Sequence, residues 1–273
     1  MIQPDMSDTG DSDFSLLLWA LGLCVAGLAW HLSNGWLRIA QRGPTLRSQW
    51  RALAMSAAAL GTGLNAAVVL GLAAQPLAFP IGFHALGGLG LWLLGVLLCV
   101  PAVALPAAAP QPWRLLLSGA VLAAVALGLQ AGWVLAAGFR PGVLWRPEIL
   151  AAAAMVLLVG LVMARWMAFS EATEVTPRRV VWRFAAVLLG AATLMGGQRL
   201  VCVAAGLSTQ RGSLFESQLN GTVLGLVCGV LVPLVMAAMV LDLWLRRQQR
   251  PRRGEAGFQQ KKRRKRRHKM RTL

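Results

Sequence analysis

Seven apolar runs, each of bilayer-spanning length, constrain this chain more than any other feature. They cover Phe14–Leu32, Leu53–Ala74, Gly82–Leu105, Trp113–Gly138, Ile149–Phe169, Val180–Leu207 and Leu219–Leu245. A hydrocarbon core of roughly 30 Å needs about 20 residues of helix, and each run supplies that or nearly that. A soluble domain distributes charge over its whole surface. Here only 14% of 273 residues are charged, 57% are hydrophobic, and the charges gather in loops and tails. The fold class is therefore all-α: a polytopic membrane helix bundle of seven transmembrane helices.

Arginine placement sets the expected orientation. Arg38, Arg42, Arg47 and Arg51 follow the first run, Arg114 follows the third, and Arg165, Arg178, Arg179 and Arg183 are assigned to the segment after the fifth. These alternate segments and the basic C-terminus fall on one side. The other side has Arg140, Arg146, Arg199 and Arg211 and the acidic residues Asp5, Asp8, Asp11 and Asp13. The reading is N-terminus out and C-terminus in, across a bacterial inner membrane. Residues 1–13 lack the basic start of a cleavable signal peptide, so the first run is expected to be retained.

A pattern recurs along the chain. Trp50-Arg51, Trp113-Arg114 and Trp182-Arg183 each precede a long apolar run, and the runs end in Leu72-Ala73-Ala74, Leu135-Ala136-Ala137 and Val203-Ala204-Ala205. Indole at the headgroups and guanidinium in the adjoining water suit a membrane boundary, so the pattern reads as three helix-pair repeats. Pro101, Pro106, Pro110 and Pro112 are expected at the inner end of the third helix and its turn. Pro233 is expected to kink the seventh. Gly221, Gly225 and Gly229 put small residues on one face of that helix, for packing inside the bundle or for a homodimer contact.

Nothing in the chain supports catalysis. A P-loop, a G-x-S-x-G elbow, an H-E-x-x-H helix and a dinucleotide fingerprint are all missing from the sequence, and it is read as no enzyme. Cys24, Cys99, Cys202 and Cys228 all lie in apolar runs without a C-x-x-C pair, which points to neither a disulfide framework nor zinc. The interior polar candidates are Asn65, Gln130, Gln198 and Arg199. They line a small ligand pocket, or they hydrogen-bond across the bundle; both readings stand. His84 and His31 are placed at the interfaces. From Arg246 the chain turns polar and basic, and Lys261, Lys262, Arg263, Arg264, Lys265, Arg266 and Arg267 contribute to a net charge of +17. This segment, 246–273, reads as a disordered tail attracted to anionic lipids. It lacks the aromatic interleaving that nucleic-acid stacking requires.

The topology and repeat over about Phe14 to Leu245 resemble the MHYT domain, a bacterial membrane sensor module. The family's Gly-x-Gly-Ile-Trp-x-Met-His-Phe-x-Gly-Met pattern falls on Gly61 to Leu72, its Pro-rich turn on Phe79 to His84, and its second Tyr-Asp-Pro on Trp145-Arg146-Pro147. The resemblance implies copper held by methionine and histidine, and through it binding of oxygen, carbon monoxide or nitric oxide. This chain departs from that pattern. The first Met-His slot holds Ala67-Val68, and neither Gly128 to Trp133 nor Gly197 to Cys202 contains Met or His. Alanine and valine supply no donor for copper, so no metal site and no cofactor are expected. The reading is a metal-free sensor or interaction module in residues 14–245 that signals through a membrane or cytoplasmic partner protein. Its alternatives are a copper-dependent gas sensor with substitute ligands such as Cys202 and His84, or a small transporter.

Overall fold

The computed structural model describes residues 14–77, 79–108, 111–169, 177–207, 210–215 and 217–245. The acidic residues 1–13 and the basic tail, with Lys261 to Arg267, lie outside the described residues. Seven helices follow one another: α1 (Leu16–Gln41), α2 (Leu46–Ala73), α3 (Ala85–Ala108), α4 (Pro112–Ala136), α5 (Pro147–Phe169), α6 (Pro177–Ala204) and α7 (Gly221–Leu245). The shortest has 23 residues, about 35 Å at about 1.5 Å per residue, so all seven are long enough to cross a bilayer. Their lipid-length apolar surface makes this a multi-pass membrane protein. Leu86, Leu89, Leu93 and Leu97 of α3, for example, are all exposed. In water such a stripe is a liability, whereas in hydrocarbon it is the ordinary outer face.

The bundle is organised on α2, whose most apolar window is 72% buried, against 17% for α7. Composition explains this. From Ser56 to Ala67 the helix is mostly small, with seven Ala or Gly among twelve residues, and small residues let neighbouring backbones come close. A Cβ on Gly61 would stand 2.5 Å from the Cα of Val96 on α3. A Cβ on Gly63 would overlap Ala29 of α1. The apolar core then forms around Trp30, Leu60, Leu64, Leu129, Leu157 and Met195, drawn from five helices.

Helix boundaries differ from the sequence expectation where local capping overrides hydropathy. Thr45 and Ser48 form a capping box, so α2 starts seven residues before the expected Leu53 and takes Trp50 and Arg51 into its first turns. Trp113-Arg114 and Trp182-Arg183 lie in the first turns of α4 and α6, within the expected runs. Pro101 and Pro106 fall at the inner end of α3, and the helix runs through both to Ala108. Pro106 has no N–H to give the carbonyl of Ala102, and Ser118 of α4 donates its hydroxyl to that carbonyl instead, at 2.5 Å. Pro106's own carbonyl accepts from Gln41 Nε2 at 2.9 Å. In α7, Val227–Leu231 form a π turn just ahead of Pro233, which absorbs the proline within a continuous helix.

One end of the bundle carries four two-residue strands. β1 (Gly82–Phe83) pairs antiparallel with β4 (Leu219–Asn220), and β2 (Phe139–Arg140) with β3 (Gly212–Ser213). At this strand-bearing end the last carbonyls of α2, α4 and α6 find the same kind of partner. Ser15 N–H donates to Ala74 O at 3.0 Å, His84 N–H to Ala136 O at 3.0 Å, and Arg146 N–H to Ala204 O at 2.9 Å. Each donor immediately precedes α1, α3 or α5, so each bond satisfies a helix-end carbonyl that has no partner in its own helix. The opposite end carries the short α1–α2 turn and Arg42, Arg47, Arg51 and Arg114.

Ser118→Ala is expected to lower the Tm of purified protein in nanodiscs, by about 1 kcal/mol of stability, because the Ala102 carbonyl is then left buried without a donor. Scanning calorimetry against wild type checks this.

Candidate functional site

The polar residues singled out in the sequence separate into two places. Gln130 of α4 and Gln198 of α6 are both buried and line one small cavity with Leu64, Ala67, Val68 and Met195. The cavity measures about 10 Å³, space for about one water. Gln130 Nε2 donates to Leu194 O at 3.0 Å, and Gln198 Nε2 reaches Cys202 Sγ at 3.5 Å. Both Oε1 atoms are left without a donor. The cavity therefore carries two acceptors, one thioether and otherwise hydrocarbon. Chemically it suits a small hydrogen-bond donor.

Asn65 sits beside this cavity but is fully engaged. Its Oδ1 accepts from Trp133 Nε1 at 2.8 Å, and its Nδ2 donates to Gly61 O at 2.8 Å. Trp133 is held edge-on by Phe83 at 5.3 Å and by Trp92 at 6.5 Å. Gly95 of α3 gives the amide its room, since a Cβ there would strike Asn65 Nδ2. Asn65 thus joins α2 to α4.

Arg199 is placed elsewhere. It is exposed, donates to Gln75 Oε1, and stacks 4.7 Å over the ring of Phe14. Gln75 lines a much larger groove of about 440 Å³ at the strand-bearing end, between α1, the α2–α3 connection and α7. Leu17, Leu18 and Leu21 form one wall, and Phe79, Pro80 and Ile81 close the top. Gly221, Gly225 and Gly229 line the same groove, so among the described residues of this chain no helix lies along the whole glycine ladder. A Cβ on Gly229 would press on Leu21 at 2.8 Å, Gly221 N–H donates to Ile81 O at 2.8 Å, and Gly225 faces open space.

Sequence reasoning grouped Arg165 with the arginines flanking a span, and the structure corrects this. Arg165 lies within α5, four residues before its end, and is 0% exposed. Its Nη1 donates to Asn34 Oδ1 of α1 at 2.8 Å, and its guanidinium covers the ring of Trp30 at 4.7 Å. Nearby, the Ser33 and Ser56 hydroxyls bond at 2.8 Å, joining α1 to α2. Hydropathy alone could not find Arg165 because it is a single charge one turn from the end of an apolar run. Its partner Asn34 lies two residues past the expected end of the first run, in the part of α1 that continues to Gln41. His84 caps α3, its Nδ1 accepting from Gly87 N–H at 2.9 Å.

The copper site that the MHYT resemblance implies does not fit these residues. The three stretches equated with Met-His slots, through Ala67-Val68, Leu129-Gln130 and Gln198, meet around the small cavity. The donors present there are amide oxygens and the Met195 thioether, with no imidazole. Among the described residues, no three His, Cys, Asp or Glu side chains stand close enough to hold a metal. The chain matches no family model, no curated protein and no solved structure.

Removing a satisfied polar group and removing an orphan one should differ in sign. Asn65→Leu leaves the Trp133 indole N–H buried without an acceptor and is expected to cost about 1–3 kcal/mol. Gln198→Met removes an unpartnered oxygen at nearly constant volume and is expected to leave Tm unchanged or raised. Thermal unfolding of the two variants side by side checks both.

Proposed function

We propose that this protein is a non-catalytic, MHYT-like sensor or interaction module of the bacterial inner membrane, N-terminus out and C-terminus in. In this reading it works without the family's metal and passes its signal to a partner protein at the arginine-bearing end. The observation that carries the reading is the meeting of three sequence stretches, one from each helix pair, around a single cavity. Those stretches are the ones that the resemblance equates with metal-binding motifs. The three matching backbone bonds at the ends of α2, α4 and α6 support the division into three helix pairs.

With its cavity reduced to about 10 Å³, the module receives its ligand in the groove beside α7. That groove is apolar, opens beside exposed Leu17, Leu226 and Val230, and has Gln75 with its partner Arg199 at one end. An amphipathic single-chain molecule with an anionic head matches this lining: hydrocarbon along α1 and α7, head at the cation. Its volume of about 440 Å³ is that of an ordinary small-molecule pocket.

Two measurements test the proposal. Purified full-length protein incubated with copper(I) and washed is expected to retain far less than one copper per chain by elemental analysis. Stoichiometric copper, lost on replacing Cys202 or Met195, would restore the gas-sensor reading and overturn this one. The groove is tested with cis-parinaric acid in nanodiscs, read by energy transfer from tryptophan. Gly225→Leu, which fills open space without a clash, is expected to weaken saturable binding at least tenfold with Tm unchanged. Equal binding by the variant rejects the groove as the ligand site.

A further inference from the structure

Arg165 and Trp30 form a buried site with unused hydrogen-bond donors and no counter-charge. The guanidinium has no exposed surface. One face lies on Trp30, which Gly190 of α6 approaches so closely that a Cβ there would stand 2.9 Å from the indole ring. Nη1 is used by Asn34 at 2.8 Å. The remaining donors, Arg165 Nε and Nη2, have no partner, and neither does the indole N–H of Trp30. In a guanidinium, Nε–H and the outer N–H of Nη2 point the same way, forming the fork that grips an anion with two parallel bonds. It is the two donors of this fork that have no partner. Among the described residues no carboxylate pairs with Arg165; Cys99 of α3 is the ionisable side chain in electrostatic reach. A ring face and one neutral amide recover only part of the hydration an arginine loses on burial.

We propose that this site binds a small monovalent inorganic anion, of the size and charge of a halide or nitrate. The ligand is small because Arg165 offers no surface through which a lipid headgroup or a larger organic acid could reach it. It is monovalent because a single cation must balance it, and because more highly charged anions give up their water at greater cost. Bound there, the anion accepts from the Arg165 fork, with the Trp30 indole as a third donor, and neutralises the charge between α1 and α5. The bridge that Arg165 of α5 makes to Asn34 and Trp30 of α1 then depends on the anion, and the site shares no lining residue with the groove or the small cavity.

The test is thermal unfolding of the full-length protein in nanodiscs of neutral lipid. Sodium gluconate is exchanged for chloride, bromide or nitrate at constant ionic strength. Wild type is expected to gain Tm along a saturable curve, since a ligand that binds only the folded state stabilises it by mass action. Arg165→Gln keeps a hydrogen-bonding side chain but removes the charge, and is expected to raise the half-saturating anion concentration at least tenfold. Trp30→Phe keeps the ring under the guanidinium, removes the third donor, and is expected to raise it several-fold. If Arg165→Gln does not fold, the wild-type curve and Trp30→Phe decide. Identical wild-type Tm in gluconate and in all three anions would overturn the proposal, leaving Arg165 a structural cation. An unchanged midpoint in Arg165→Gln or in Trp30→Phe would overturn it equally, because the anions would then act elsewhere.

Discussion

Burying a leucine inside a membrane bundle gains little, since lipid tails are as apolar as leucine, so cohesion must come from close packing and from hydrogen bonds between helices. The approach of α1 and α3 to α2 meets the first requirement. Gly63 against Ala29 and Gly61 against Val96 bring three backbones together, and the larger side chains of the other helices then pack around a thin central rod. With α2 bulkier, Asn65 and Trp133 could not meet across the α2–α4 interface. The polar contacts depend on the small-residue contacts.

Hydrogen bonds meet the second requirement, and they are placed where the backbone or the packing leaves something open. Ser118 serves a carbonyl freed by Pro106, Gln41 reaches another carbonyl at that turn, and Ser33 holds Ser56 across α1 and α2. Each joins two helices through one or two side chains. The Ser118 bond also explains why Pro106 can sit inside α3. The helix keeps its hydrocarbon length because a neighbour supplies the donor that proline lacks.

Much of this was legible in the sequence. Seven apolar runs name seven helices because hydropathy over about 20 residues is a strong signal. Asn65, Gln130 and Gln198 could be assigned to the interior because a polar group facing lipid has no partner. Their separation from Arg199 could not be read, since it depends on how α2, α4 and α6 rotate about their axes, and hydropathy does not report rotation in helices apolar all round. Trp50-Arg51 looked like a boundary outside its helix, yet Thr45 and Ser48 begin the helix earlier; capping is a short-range signal that a long apolar window averages away. Gly221, Gly225 and Gly229 spell a packing face at four-residue spacing. Whether a helix or a void lies against that face is set by the neighbours, and here Leu21 reaches only Gly229.

The interior polarity is uneven along the bundle, which bears on how the protein can respond to anything. Near the strand-bearing end the unmatched atoms are acceptors, Gln130 Oε1 and Gln198 Oε1; near the arginine-bearing end they are donors, on Arg165 and Trp30. On α6 the two levels are eight residues apart, from Gly190 beside Trp30 to Gln198, or about 12 Å. Apolar side chains including Leu157, Leu194 and Met195 fill the space between. The two sets therefore cannot satisfy each other without a shift of helices. Each is left able to take a partner of its own kind: a donor at one level, an acceptor or anion at the other. Both levels involve α6, through Gln198 at one and Gly190 at the other. A ligand that moved α6 at either level would thereby alter the packing at the other, which gives a metal-free bundle a physical means of coupling its two ends.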